Sequence, residues 1–282
     1  GPARLDFYTS NNARAQDDGT IVDGQGRQLF LLPVKEILAD KARSLAPSPG
    51  PGDPAGYLGA LAAEGGIGAD QIVGISDELA AAFLDDRQFH AMASRTRAGD
   101  LVPDRLLEFS GIWTDGMSGA AHLPWGVQAV AGGHASTRTH TLYVIDSGVH
   151  AHHSLHVAKE DRLAVMDLET VTVCDESPEY AHGTHVAGIA AGRGSPGGVL
   201  GVRPNARIVS INVAFPGECR PTSASFIAGL EAARKHILLG ARPLKPAVVN
   251  LSINFPDRAD SAPTVALMEE AMRQVAQPAA AY

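Results

Sequence analysis

Three apolar runs, TLYVID (141–146), ARIVSINV (206–213) and PAVVNLSI (246–253), punctuate the second half of the chain. None shows the in–out alternation of a strand with one wet face, so each must be covered on both sides. Between and after them the sequence predicts helices, one starting near His182, one over about 222–239 and one over about 260–276. Buried strands separated by helices fold as a parallel sheet with helices on both faces, an α/β architecture. In such sheets chemistry gathers outside the carboxyl ends of the strands. Asp146 closes the first run, and Ser252 lies near the end of the third.

The first half reads differently. Residues 1–26 are polar and Gly/Asp-rich and predict an irregular lead-in. RQLFLLPVK (27–35) reads as a strand, APSPGPGDP (46–54) as a loop, AGYLGALAAEGG (55–66) as a short helix and DQIVGIS (70–76) as a second strand. Over SDELAAAFLDDRQFHAMAS (76–94), Ser76 with Leu79, Phe83 and Phe89 predicts a capped amphipathic helix. Residues 27–97 thus predict a small α+β unit. Residues 98–137, with scattered Gly, Pro and Asp, predict a connector to the α/β part, 138–282.

Charge and composition narrow the function. A net charge of −8 argues against a nucleic-acid partner, whose phosphates call for a basic face. No apolar run approaches the roughly 18 residues of a membrane span. The two cysteines, Cys174 and Cys219, belong to no CxxC pair, which argues against cysteine-held zinc. A single disulfide and two free thiols both fit that count.

The chemistry centres on EYAHGTHVAGIAAG (179–192), where His182 opens a helix of small residues. An Asp closing a buried strand and a His opening a helix suit an acid–base pair. The carboxylate fixes the imidazole tautomer and stabilises the imidazolium formed when the His takes a proton. Four motifs in order, VIDSGVHAHH (144–153), HGTHVAG (182–188), GVRPNARIVSINV (201–213) and VVNLSI (248–253), resemble the subtilisin-like serine proteases over about residues 125–275. The resemblance implies catalytic roles for Asp146 and His182. It likens His185 to a packing residue behind the site and His153 to the family's His in the turn after the Asp strand. It also implies that Leu251, Ser252, Ile253 and Asn254 line the substrate pocket and pair with a polypeptide backbone. IVGISDELAAAFLDDRQFHAMAS (72–94) is similar to the second half of subtilase propeptides, ferredoxin-like α+β domains that chaperone and inhibit their enzymes. A secreted or extracytoplasmic home follows from the same resemblance.

The sequence also departs from the family. It holds no GTSMA-type motif, which carries the nucleophilic Ser, and no recognisable oxyanion Asn. The Ser is therefore expected from a continuation of the chain or from a second chain. The alternative is an inactive pseudoprotease or peptide-binding scaffold. After Leu251-Ser252 the family usually has Leu-Gly-Gly, where this chain has Ile253-Asn254-Phe255, side chains that narrow a pocket glycines leave open. Ala181 replaces a polar residue or glycine common before HGTH.

Other features carry less. The cluster His150, His152, His153 and His156 contains no HExxH and no carboxylate at ligand spacing, so it reads as a hydrated turn, with no metal expected. A metal-dependent hydrolase is the third class considered, and it predicts stoichiometric metal. Gly192, Gly194 and Gly197 spell GxGxxG, but after a helix and around Pro196, which is the wrong setting for a dinucleotide. Ser118 sits in the connector, outside any strand-to-helix elbow. The acidic run 167–179 reads as a solvated loop, with calcium as the option the family offers. No other cofactor is expected.

Overall fold

The computed structural model describes residues 7–33, 59, 62–63, 65–76, 78–94, 101–109, 123–134, 140–165, 181–194, 198–215, 217–239, 247–255 and 262–276. The N-terminal part holds helix α1 (Phe7–Ser10), strands β1 (Arg14–Ala15), β2 (Ile21–Val22), β3 (Gln28–Pro33), β4 (Ile72–Gly74) and β5 (Leu79–Leu84), helix α2 (Asp86–Ala93) and strand β6 (Val102–Pro103). Its sheet runs β1-β2-β3-β5-β4, with β6 also on β3, and every pairing is antiparallel.

Three sequence expectations change here. The supposed irregular lead-in carries α1, β1 and β2, and buries Phe7, Tyr8 and Ile21. The sheet also reaches into the supposed connector, because β6 pairs through Phe30↔Pro103 and Leu31↔Val102. The helix expected from Ser76 begins only at Asp86, and Leu79–Leu84 is a strand with all six residues buried. LAAAFL sits between β3 and β4 and is covered on both faces, so burial overrides the helix propensity of its alanines. The cap is Asp85, whose Oδ1 accepts from Gln88 N at 2.7 Å, while Gln88 Oε1 accepts from Asp85 N at 3.1 Å.

The second part holds β7 (Glu108–Phe109), α3 (Trp125–Ala129), β8 (Thr141–Asp146), β9 (Arg162–Ala164), α4 (His182–Ala191), β10 (Arg207–Asn212), α5 (Ser223–Leu239), β11 (Ala247–Leu251), β12 (Ile253–Asn254) and α6 (Ala262–Ala276). Strands β11-β8-β10-β9 form the expected parallel sheet. Alternate residues of β8 serve opposite faces. Leu142 and Val144 cluster with Ala187 and Ala191 of α4, while Tyr143 and Ile145 cluster with Phe226, Ile227 and Leu230 of α5. Gly229 lets α5 approach closely, since a β-carbon there would lie 2.6 Å from Val213 Cγ1 and 2.9 Å from Ile145 Cγ2.

Both parts share one core. Phe7, Tyr8, Leu29, Leu31 and Phe83 belong to the same cluster as Phe215, α5 and Met268 of α6, and the Tyr8 and Phe215 rings stand edge-on at 5.1 Å. Asp104, fully buried, bridges the parts. Its Oδ2 accepts from Tyr8 Oη at 2.8 Å and its Oδ1 from Ala224 N at 2.8 Å, at the start of α5. A last small sheet pairs β7 with β12, antiparallel. Cys219 is disulfide-bonded. The one other cysteine in the sequence, Cys174, lies outside the described residues. Among the described residues, no helix is long and apolar enough to cross a membrane.

Candidate active site

Asp146 is the last residue of β8 and is completely buried. The turn after it passes through Gly148 at φ +99°, a backbone region that glycine enters without strain. His182 is the first residue of α4, and its Nδ1 lies 2.9 Å from Asp146 Oδ1 and 3.0 Å from Oδ2. The imidazole is about one-eighth exposed and the carboxylate is not exposed at all. The pair that the sequence singles out, 36 residues apart, thus meets in space. Burial pushes the Asp146 carboxyl above its ordinary value, while the hydrogen bond and charge of His182 pull it back.

The neighbouring residues hold this geometry. Asp146 Oδ1 accepts from Ser147 N at 2.7 Å, and Ser147 Oγ accepts from Gly183 N at 3.1 Å, joining the Asp turn to the His helix. A β-carbon on Gly183 would fall 2.1 Å from the Gly148 carbonyl oxygen and 3.1 Å from Asp146 Cβ. The glycine of HGTH is therefore what lets α4 dock onto the turn. Asn212 sits opposite Asp146 in the β8–β10 register. Its Nδ2 donates to Ser147 O at 2.7 Å and its Oδ1 accepts from Ala214 N at 2.8 Å. Sequence reasoning missed Ser147 and Asn212. Asn212 had a signal, a polar residue at the end of a largely apolar run.

The other expected site residues are placed as follows. Leu251 pairs with Ile145, one residue before Asp146, so Leu251 and Ser252 lie at the same end of the sheet as the dyad. Ser252 Oγ accepts from Asn250 Nδ2 at 3.0 Å. Ile253 and Asn254 form β12 and pair with Phe109 and Glu108 of β7. His185 is exposed, as is His153, whose ring lies 4.2 Å from that of His152. His185 therefore does not take the packed position expected behind the dyad, because α4 turns it towards solvent. His150 N donates to Thr184 Oγ1 at 2.8 Å, tying the histidine turn to α4. Among the described residues, no group of three or more His, Cys, Asp and Glu is placed to hold a metal ion. Residue 118, the acidic run 167–179 and Gly197 lie outside the described residues.

The model of the subtilase family matches residues 138–279, half of the chain. The chain is a subtilase. The subtilisin-like protease PopC of Myxococcus xanthus (strain DK1622) is 31% identical to it over 126 residues, which is 41% of this chain and 24% of that protein. This subtilase chain therefore spans about a quarter of the length of the curated relative it matches. The family match encloses β8, α4, β10, α5, β11, β12 and α6, the elements that assemble the dyad and the strand beside it. It leaves the N-terminal sheet outside.

Proposed function

We propose that this subtilase chain supplies the Asp–His half of a serine endopeptidase site and carries an N-terminal unit that blocks the site. The observation that carries the first claim is the Asp146–His182 pair, with Nδ1 bound to a fully buried carboxylate and the imidazole partly open to solvent. Holding the proton on Nδ1 makes Nε2 the basic nitrogen of the ring. His182 Nε2 takes the proton of a serine Oγ as that oxygen attacks the peptide carbonyl, then gives it to the departing amine. Asp146 keeps the tautomer and stabilises the imidazolium between the two transfers. Leu251–Asn254 pairs with the backbone of the polypeptide substrate as an added strand. The sequence contains no GTSMA-type motif, so the serine comes from a continuation of the chain or from a second chain.

The β7–β12 pairing supports the blocked state. Glu108 and Phe109 lie antiparallel to Asn254 and Ile253, along the strand assigned to substrate. Just before them, Leu107 N donates to Pro221 O at 2.7 Å and Leu106 bridges Thr222. The chain's own connector is thus stretched between two edges as a peptide would be. The strand order β6-β3-β5-β4, with α2 between β5 and β6, supports a ferredoxin-like propeptide for the unit behind it. The disulfide at Cys219 supports an extracytoplasmic home. Calcium at 167–179 remains the option drawn from the family.

The test is intact mass of the purified material followed by labelling with a fluorophosphonate probe. A label on a polypeptide that continues or accompanies this chain, lost on His182→Ala, is the expected result. If no associated polypeptide takes the label, catalysis is ruled out, and the same cleft is that of a peptide-binding scaffold.

A further inference from the structure

The edge facing β12 across the connector is formed by residues 214–215 and 219–222. Ala214 bridges Pro221, Phe215 N donates to Arg220 O at 2.7 Å, and Cys219 N donates to Phe215 O at 3.1 Å. Cys219 turns the chain at φ +51° and is tied down by its disulfide. The next residue, Arg220, reaches over the connector and makes two contacts of different kinds. Its Nε donates to the Leu107 carbonyl oxygen at 3.2 Å, and its guanidinium lies 3.8 Å from Glu108 Oε1.

The first contact is blind to sequence, because every peptide offers a carbonyl there. It fixes where the planar guanidinium sits, and so leaves the terminal nitrogens beside the following side chain. In an extended strand consecutive side chains face opposite ways. Leu107 points into the core and is fully buried, while Glu108 turns outwards to Arg220, with both charged groups partly exposed. A neutral or basic residue in the place of Glu108 would keep every backbone bond of the ladder and lose only the ion pair.

We propose that Arg220 is a specificity-determining residue, and that the cleft takes extended peptides in which an acidic side chain follows a buried aliphatic one. The connector's own Leu107-Glu108 is such a sequence. The proposal rests on reading the cleft as a peptide site, and it adds which peptides the site takes. Because the pair lies on the rim, its selectivity is modest, about threefold to fivefold at low ionic strength, and fades as salt screens it.

Amide hydrogen exchange on the full chain tests this. Glu108→Gln should speed exchange of the Leu107 amide about threefold to fivefold, and Glu108→Arg at least as much. With Arg220→Gln as the background, which keeps an N–H donor, the same changes at Glu108 should no longer matter, and 1 M salt should erase the differences in the parent. Glu108 variants without effect, or an effect that persists in the Arg220→Gln background, would overturn the role of Arg220. A second measurement separates the two readings. In the full chain with Leu107→Asp, which expels the connector from its buried position, labelled peptides Arg-Leu-Leu-Glu-Phe and Arg-Leu-Leu-Lys-Phe are titrated in. Preference for the glutamate peptide is expected, and equal binding sinks only the role of Arg220. Binding of neither peptide, with the variant folded, sinks the peptide-cleft reading itself. Should that variant not fold, the Glu108 variants with and without Arg220→Gln still decide the role of Arg220.

Discussion

A single hydrogen-to-methyl change is enough to test the dyad's support. The site a β-carbon would take on Gly183 is only 2.1 Å from the Gly148 carbonyl oxygen, which is backbone and cannot rotate away. Gly183→Ala must therefore lift the start of α4 from the Asp turn, stretching the His182–Asp146 bonds and the Gly183 N–Ser147 Oγ bond together. Overpacking of this kind costs about 1–3 kcal/mol. Chemical denaturation should show that loss. The downfield proton resonance of His182 Nδ1–H, held by Asp146 in the parent chain, should move or vanish in the variant. An unshifted resonance in a protein of unchanged stability would mean that the turn and helix do not touch as described. At this scale the sequence was informative about Asp146 and His182 because a charged or titratable residue stood where a buried strand ended or a helix began. It marked Asn212 only as a polar residue at the end of a run and was silent about Arg220. Their roles depend on strand register and on the edge beside the connector, and neither is encoded in local periodicity.

Elements show where local pattern and tertiary burial part. TLYVID, ARIVSINV and PAVVNLSI were legible as strands because each is an apolar run bounded by polar or turn residues, and each lies within or across a strand of the parallel sheet. LAAAFL was misread because alanine-rich segments carry the same signal in a helix and in a fully covered strand. Its neighbours β3 and β4 settle the matter, since both its edges are paired. The true start of the helix is marked by Asp85 and Gln88, whose side chains and backbones exchange two hydrogen bonds. Asp85→Ala removes the acceptor for Gln88 N, and losses of this type are worth about 1 kcal/mol. The same substitution at Ser76 would destabilise by clearly less, because Ser76 Oγ accepts from Glu78 N at the longer distance of 3.2 Å, in the turn before β5 rather than at a helix start. Thermal or urea unfolding of the two alanine variants side by side checks the order. If Ser76→Ala is the more damaging, the assignment of the helix start is wrong.

On the scale of the molecule, the two parts are joined by a buried carboxyl, which makes their union depend on pH. Asp104 comes from the N-terminal unit, and two of the groups on it, Ala224 N and Thr222, belong to the start of α5. Tyr8 Oη, which lies 2.8 Å from Asp104 and 3.1 Å from Thr222 Oγ1, completes the network. Burial raises the Asp104 carboxyl from 3.8 to about 6, although each of its hydrogen bonds works to lower it, so desolvation wins. The native state therefore holds a proton that the unfolded chain gives up earlier as pH rises. The stabilisation is fully present below the unfolded value near 3.8 and is lost as pH rises to the folded value of about 6. A gap of roughly two units corresponds to a change on the order of 3 kcal/mol. Asp104→Asn keeps an oxygen for Ala224 N and offers Tyr8 an amide, with no charge to desolvate, so its contribution should not change with pH. Urea unfolding of both proteins from pH 3.5 to 8 isolates the residue, because every other titrating group cancels in the difference. The parent chain should lose stability relative to the variant between about pH 4 and 6 and run parallel to it above. Parallel curves throughout, or a gain with rising pH, would show that Asp104 is not buried at the junction as described. If the expected loss is seen, the junction between Asp104 and the start of α5 contributes most to stability in acid and least at neutral pH.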